Sequence, residues 1–412
     1  MLTTAGLSRN TLALLISNVG SAVLSFLLSV IIGRALGEDG LGVYAAALAW
    51  VFPLSLAAEF GLGTLITRDV AQDPEAASAY LQATTVARLW LGGALTVLLV
   101  VLAPFLSDHP AVVRGLQLSA PLIVILPLFG SFTALFRARQ VMWPIPWLNL
   151  GMLIAQVVVT ALVLLNGGDV IAALVVNAGT SAGQLAGAWA IYRWKFHGEG
   201  ERRALPLQTR DLLRRALPFA IAAILAALQT RLSAILLERL ASTSEVGYYA
   251  AASRFVEAGR MIPNAFFGAL FPTLAALALR PEELHRAFTR TMWGLLAFGV
   301  VLGMAFTLLA SPLVNLTFGA AFTPSIIVLQ LLMWSLLPGL LRAGRTLYWY
   351  ALGREEFVNL VTAVTLLLQV TLNLWLIPQQ GALGAAGSMV VVEVAALVLL
   401  WRPLSLACYA RR

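Results

Sequence analysis

The chain has 412 residues, of which 60% are hydrophobic and only 11% charged, against roughly 45–50% apolar and about 25% charged in soluble domains. At ~20 apolar residues per crossing, this composition leaves room for about twelve membrane-spanning helices. It excludes a soluble enzyme, a disordered tail protein and a single-span receptor with a large ectodomain. The net charge of +8 therefore bears first on topology and gives no reason to expect a nucleic-acid partner, because positive loops are what orient a membrane protein.

Taken in chain order, a polar start from Met1 to Asn10 runs straight into the first apolar helix, which is expected to act as its own uncleaved insertion signal. Twelve apolar segments follow, bounded by charges, Gly or Pro: 11–33, 41–66, 83–106, 112–136, 146–165, 170–192, 216–238, 246–277, 288–310, 324–352, 357–377 and 383–401. The break between the fourth and fifth is the least distinct, crowded by Arg137, Arg139, Pro144 and Pro146. Threading these segments through a bilayer places 18 cations on one side and only Arg34, Arg114 and Arg239 on the other. That asymmetry predicts a multi-pass protein of the inner or plasma membrane with both termini cytoplasmic. The single cysteine, Cys408, allows no internal disulfide.

The longest polar stretch runs from Arg193 to Arg215, with six segments on either side. It predicts a six-helix lobe over 1–192, a cytoplasmic basic linker over 193–215 and a second six-helix lobe over 216–412. An internal repeat supports the division. The run from Arg34 to Ala47 aligns without a gap to the run from Arg239 to Ala252, and one Arg, one Gly, one Tyr and three Ala coincide. Weaker matches pair Asp73-Pro74-Glu75 with Arg280-Pro281-Glu282, and Leu116-Gln117-Leu118 with Leu329-Gln330-Leu331. An even number of spans per half keeps both copies in one orientation, the parallel pseudo-two-fold repeat of transporters with a site between lobes. The expected fold is thus all-α and polytopic.

Metal and nucleophile motifs are absent: the three histidines fall in loops and no His/Cys/Asp cluster has ligand spacing. Neither a metal nor a cofactor is expected. The short outer loops argue against a membrane-embedded glycosyl polymerase or ligase, and hence against an enzyme. The informative residues are charges inside helices, each costing roughly 2.5–3.5 kcal/mol at the bilayer centre, so that they face protein or water rather than lipid. Five of six such arginines lie in the second half: Arg231, Arg254, Arg260, Arg342 and Arg345. Residues three apart share a helix face, so Glu257 is within reach of both Arg254 and Arg260. The tenth segment holds Arg342 and Arg345 without an acid. This surplus predicts a cationic, partly wet cavity for an anionic substrate, since guanidinium forks suit phosphate oxygens. The alternative is structural, with Arg254, Glu257 and Arg260 as a self-satisfied network and Arg342 and Arg345 snorkelling to the interface. Arg88, near the start of the third segment, is expected to snorkel. Glu59, Glu257 and Glu393 are the candidate ion-coupling acids. Glu393 stands in an aliphatic run where desolvation favours the protonated form, and structural pairing is the other reading for Glu59 and Glu393. Pro53 and Pro263 are candidate hinges.

Two groups of residues carry a family resemblance. Gly33-Arg-Ala-Leu-Gly37, Gly40-Leu-Gly-Val-Tyr44, Glu59-Phe-Gly-Leu62 and Arg68 resemble the opening of the polysaccharide (oligosaccharide) flippase family. Leu372-Asn-Leu-Trp-Leu-Ile-Pro378 and Gly381-Ala-Leu-Gly-Ala-Ala-Gly387 resemble the pattern of its last two helices. The resemblance implies a member of the multidrug/oligosaccharidyl-lipid/polysaccharide exporter superfamily, with two lobes opening alternately to either side. It implies a polyprenyl-diphosphate-linked oligosaccharide as substrate, its tail left in the membrane lipid, and a proton or sodium as the candidate coupling cation. It also implies that cavity arginines hold the diphosphate, which falls here first on Arg231 and Arg254, although the first two helices carry no arginine except Arg34. A multidrug cation antiporter of the same superfamily is the runner-up. It would want an acidic cavity, and the first helix has no acid.

Overall fold

The computed structural model describes residues 4–196, 209–261, 263, 267, 270 and 280–401. The middle of the basic stretch (197–208, with Arg202 and Arg203), Pro272 and Cys408 lie outside the described residues. Among the described residues the structure is helical throughout, with two short 3-10 turns and no strand.

The helices are α1 (Thr4–Glu59), α2 (Leu62–Gln72), α3 (Ala77–Leu106), α4 (Pro110–Ser119), α5 (Leu122–Ala138), α6 (Pro144–Leu165), α7 (Val170–Phe196), α8 (Thr209–Leu240) and α9 (Thr243–Gly259). They continue with α10 (Pro281–Thr317), α11 (Ser325–Ala351) and α12 (Glu355–Leu400). Several begin on proline, at Pro110, Pro144 and Pro281, where the missing N–H costs nothing because no intrahelical acceptor awaits it. Among the described residues, eight helical stretches are long and apolar enough to cross a membrane, and a bent pair within α8, Arg210–Ile221 and Ala223–Leu240, makes a ninth. Two of the eight are far longer than one crossing needs: 57 residues over Ile16–Gln72 and 46 over Glu355–Leu400. Each is broken near its middle, at Gly37 and at Gly381, both with positive φ. Taking each as a pair of crossings accounts for eleven of the twelve expected segments. Helix α9 opens the remaining one, 246–277, whose C-terminal part lies mostly outside the described residues. Both breaks fall on glycines of the family-like motifs, so those motifs mark where adjacent crossings turn.

The chain clusters into two compact units, Met1–Ala250 and Ala251–Arg412. In the first, α1 packs against α4, α5, α6 and α8, and α2 also packs on α8. Helix α8, which follows the basic stretch in sequence, thus belongs to this unit. In the second, α11 packs between α10 and α12. The contacts within each unit rely on small residues that let backbones approach closely. The two copies of the repeat show it alike: Ala46 and Ala47 are fully buried, and so are their equivalents Ala251 and Ala252. Large apolar side chains cover the outside instead, Trp90, Trp147, Leu308 and Trp375 among them, as hydrocarbon solvent permits.

The repeated motifs also touch each other, within the first unit. A Cβ on Gly42 would stand 1.8 Å from the carbonyl oxygen of Thr243, and one on Gly247 would stand 2.1 Å from that of Glu38. Gly42 and Gly247 occupy the same place in the two copies, as do Glu38 and Thr243, so the contact is reciprocal. Only glycine fits at either place. Asp39 completes the junction by accepting hydrogen bonds from the hydroxyls of Thr243 (2.8 Å) and Ser244 (2.6 Å).

Candidate functional site

An ionised side chain inside a membrane helix needs a partner or water, and the three candidate coupling acids all have an arginine. Glu393 on α12 is 3% exposed and faces Arg342 on α11, with Nε donating to Oε2 at 2.5 Å and Nη2 to Oε1 at 3.2 Å. Gly339, one turn before Arg342, makes room: a Cβ there would lie 3.3 Å from the Glu393 carboxyl carbon. The fork gives Glu393 the structural pairing weighed for it within its aliphatic run. Its partner comes from another helix, 51 residues away. The expected excess of charge on the tenth segment shrinks accordingly, because Arg342 has its counterion.

Glu59 forms the second pair. It ends α1 at a short break formed by Phe60 and Gly61, both at positive φ. Its carboxylate accepts the N–H groups of Gly61 (2.8 Å) and Gly63 (2.6 Å) at the start of α2, where a negative charge is favoured. It also accepts from Nη2 of Arg88 at 3.0 Å, and Arg88 donates to Ser131 on α5. Arg88 is completely buried and does not snorkel: a carboxylate and a hydroxyl inside the first unit hold its charge. The helix is interrupted at this break, whereas Pro53 sits within the continuous part of α1. Pro263 lies in a stretch only partly described.

The third pair is local. Arg254 donates from Nη1 to Glu257 Oε2 at 2.7 Å, with the side chains 24% and 48% exposed. No hydrogen bond or ion pair joins Arg260 to Glu257 among the described residues, so only half of the expected ladder forms.

Two of the candidate arginines rest on aromatic rings. Arg231 on α8 lies 5.0 Å over the ring of Phe52 on α1, within the first unit. Arg345 on α11 is surrounded by Trp401 (4.8 Å), Phe288 (5.1 Å) and Tyr348 (5.5 Å) in the second. Among the eight residues singled out from the sequence, the three acids are therefore paired (Glu393 with Arg342, Glu257 with Arg254, and Glu59 with Arg88), and Arg231 and Arg345 lie over aromatic rings.

Sequence reasoning missed two further features. One is a set of neutral polar groups inside the first unit, where Gln184 donates to Asn149 (2.9 Å) and Gln156 donates to the Tyr44 hydroxyl (3.1 Å). Uncharged amides carry too little hydropathy signal to stand out in an apolar segment. The other lies at the arginine-poor ends of the helices, where Ser107 donates to buried Glu238 (2.5 Å) and Arg239 pairs with Asp108 (2.5 Å). Asp39, in the turn between the first two crossings, belongs to this region. The Ser244 and Thr243 hydroxyls hold its carboxyl below the usual carboxylate range, with His109 adding a smaller effect in the same direction. Among the described residues no group of His, Cys, Asp and Glu could hold a metal ion.

Broken apolar helices whose internal acids each meet an arginine define a multi-pass membrane protein. The fold is similar to an inward-facing multidrug resistance MATE family transporter of the MOP superfamily, with a TM-score of 0.79 at 14% identity over 92% of each chain. It is similar to an inward closed form of the lipid II flippase MurJ, with a TM-score of 0.76 at 14% identity over 95% of this chain and 86% of that one. An outward-facing MATE family transporter gives 0.65 at 15% identity over 96% and 93%. No curated protein matches the chain significantly by sequence. The family model for polysaccharide biosynthesis proteins matches residues 7–278, and the chain belongs to that family.

Proposed function

We propose that the chain flips a polyprenyl-diphosphate-linked oligosaccharide from the cytoplasmic to the outer leaflet of the inner (plasma) membrane by alternating access, with both termini cytoplasmic. Membership of the polysaccharide biosynthesis family carries this reading, and the likeness in fold to a lipid II flippase is consistent with it. The charge chemistry points the same way. Each of Glu59, Glu257 and Glu393 is already neutralised by an arginine, which disfavours an organic cation as cargo. The proposed diphosphate ligands are Arg231 and Arg254, with Arg260 following Arg254 in sequence. Guanidinium forks hold the diphosphate oxygens, the glycan travels through polar surroundings, and the polyprenyl tail stays in lipid. A proton or sodium coupling role for Glu59, Glu257 or Glu393 would require that acid to leave its arginine during the cycle. Arg342, occupied by Glu393, serves the fold.

A multidrug cation antiporter is the second reading, favoured by the likeness to MATE transporters. The two are separated by a deletion strain. Flippase function predicts that complete lipid-linked oligosaccharide accumulates facing the cytoplasm. Normal surface polysaccharide with a raised sensitivity to lipophilic cations would instead establish the antiporter. Flipped but unpolymerised units would point to a polymerase.

A further inference from the structure

Arg345 stands apart from the other helix-borne charges of the second unit. Arg342, one turn earlier on α11, is forked onto Glu393, and Arg254 has Glu257. Arg345 makes no ion pair among the described residues, and its Nε is buried without a hydrogen-bond partner. Three aromatic rings from three elements hold it instead. They are Phe288 near the start of α10, Tyr348 one turn further along α11, and Trp401 just after α12. The setting is rigid. Phe288 and Tyr348 are buried and their ring centres lie 4.6 Å apart. The neighbouring Trp349 donates its indole N–H to the carbonyl of Leu400 at 3.0 Å and packs on Phe357. Trp401, by contrast, is half exposed, so among the described residues the cage is walled on two sides and open toward its third ring.

Ring faces attract the guanidinium through its flat face, which leaves the N–H edge available for an oxyanion. The depth is suitable. Arg345 lies six residues before the end of α11, about 9 Å at 1.5 Å per residue, and Trp401 is the sort of ring that settles at headgroup level. The surroundings add positive charge: Arg354 precedes α12, and Arg286 meets Glu282 only at 3.7 Å. Glu355 and Glu356, both exposed, are the nearest acids in sequence.

We propose that Arg345, with its ring of Phe288, Tyr348 and Trp401, is a binding site for the phosphate of a membrane lipid at the arginine-rich interface of the second unit. The chemistry is that of a phosphate oxyanion on a lipid. Its source is either an anionic phospholipid headgroup or the diphosphate of a lipid-linked sugar. Basic pockets between membrane helices on that side bind anionic headgroups in the same manner.

The test uses the full chain in nanodiscs, with thermal unfolding followed by intrinsic fluorescence. Three conditions are compared: phosphatidylcholine alone, phosphatidylcholine with phosphatidylglycerol, and phosphatidylcholine with inorganic diphosphate added. The Tm of the wild type should rise with phosphatidylglycerol or with diphosphate, and R345Q should lose at least half of that rise. R290Q, an exposed neighbour outside the cage, should keep it. A rise with phosphatidylglycerol alone assigns a phospholipid headgroup, and a rise with diphosphate assigns the sugar carrier. W401L, which opens the cage but keeps the cation, should weaken the response and provides the reading should R345Q fail to fold. If R345Q or W401L lowers Tm equally in all three conditions and leaves the ligand-dependent rise intact, Arg345 is only a structural clamp and the proposal is overturned.

Discussion

Glu393 and Arg342 make two hydrogen bonds across 51 residues of sequence, and that pair decides how the charges of the second unit are read. Removing one member of a buried pair strands the other and typically costs 3–5 kcal/mol. Arg342 is 30% exposed, so the lower end applies, and E393Q should destabilise the protein by about 3 kcal/mol. The double variant R342Q/E393Q should recover most of that loss, as thermal unfolding in detergent would show. A lone E393Q with unchanged stability would mean that the fork does not form. The Arg88 pair predicts the same pattern: R88Q leaves Glu59 serving only the α2 N-terminus and should lower Tm, whereas conservative R88K should lower it less. The sequence made these charges visible one by one but not as partners. A search along one helix finds Arg254 and Glu257, three apart. Arg342 with Glu393, and Glu59 with Arg88, need the packing of α11 on α12 and of α1 near α3, which hydropathy does not encode. Two isolated intramembrane charges of opposite sign were nevertheless a usable hint in both cases.

At the scale of elements, the junction of the two repeated motifs is the most exacting place in the first unit. Gly42 and Gly247 approach carbonyl oxygens so closely that any side chain forces the backbones apart. G42A and G247A should therefore have similar effects, each freeing the start of α9 from the α1 turn and raising the labelling rate of a cysteine placed at Ser244 in a C408S background. A large effect from one substitution and none from the other would contradict the reciprocal contact. If alternating access opens this junction, a D39C/S244C pair oxidised to a disulfide should stop transport, and reduction should restore it. Transport by fully cross-linked protein would show that the junction does not move. Asp39 also sets a pH expectation. Its hydroxyl donors favour the ionised form, so the contact is at full strength at and above the ordinary carboxyl range, and it weakens only as pH falls through the lowered value. The repeat was legible because Gly, Tyr and the Ala run survive in both copies. Their contact with each other was not, since an alignment of two segments says nothing about whether they meet.

At the scale of the whole molecule, composition and segment lengths were enough for an all-helical multi-pass protein, because ~20-residue apolar runs have few other uses. The family-like glycines marked the turns at Gly37 and Gly381 as well. The compact units were less legible. Six segments stand on either side of the basic stretch, yet α8 packs along α1 and α2, and the first unit extends to Ala250. Polar stretches report where the chain leaves the membrane and not which helices it then packs against. The central claim is that this chain moves an anionic lipid-linked glycan, and reconstitution tests it most directly. Purified protein in liposomes carrying a fluorescent polyprenyl-diphosphate-linked oligosaccharide would be followed by the fraction of label reachable by an external quencher. The account predicts leaflet exchange well above that of empty liposomes. R231Q and R254Q should each slow it by about tenfold, the effect of losing ~1.4 kcal/mol from a charge-assisted contact. Exchange no faster than in empty liposomes, with uptake of a lipophilic cation by the same preparation, would contradict it.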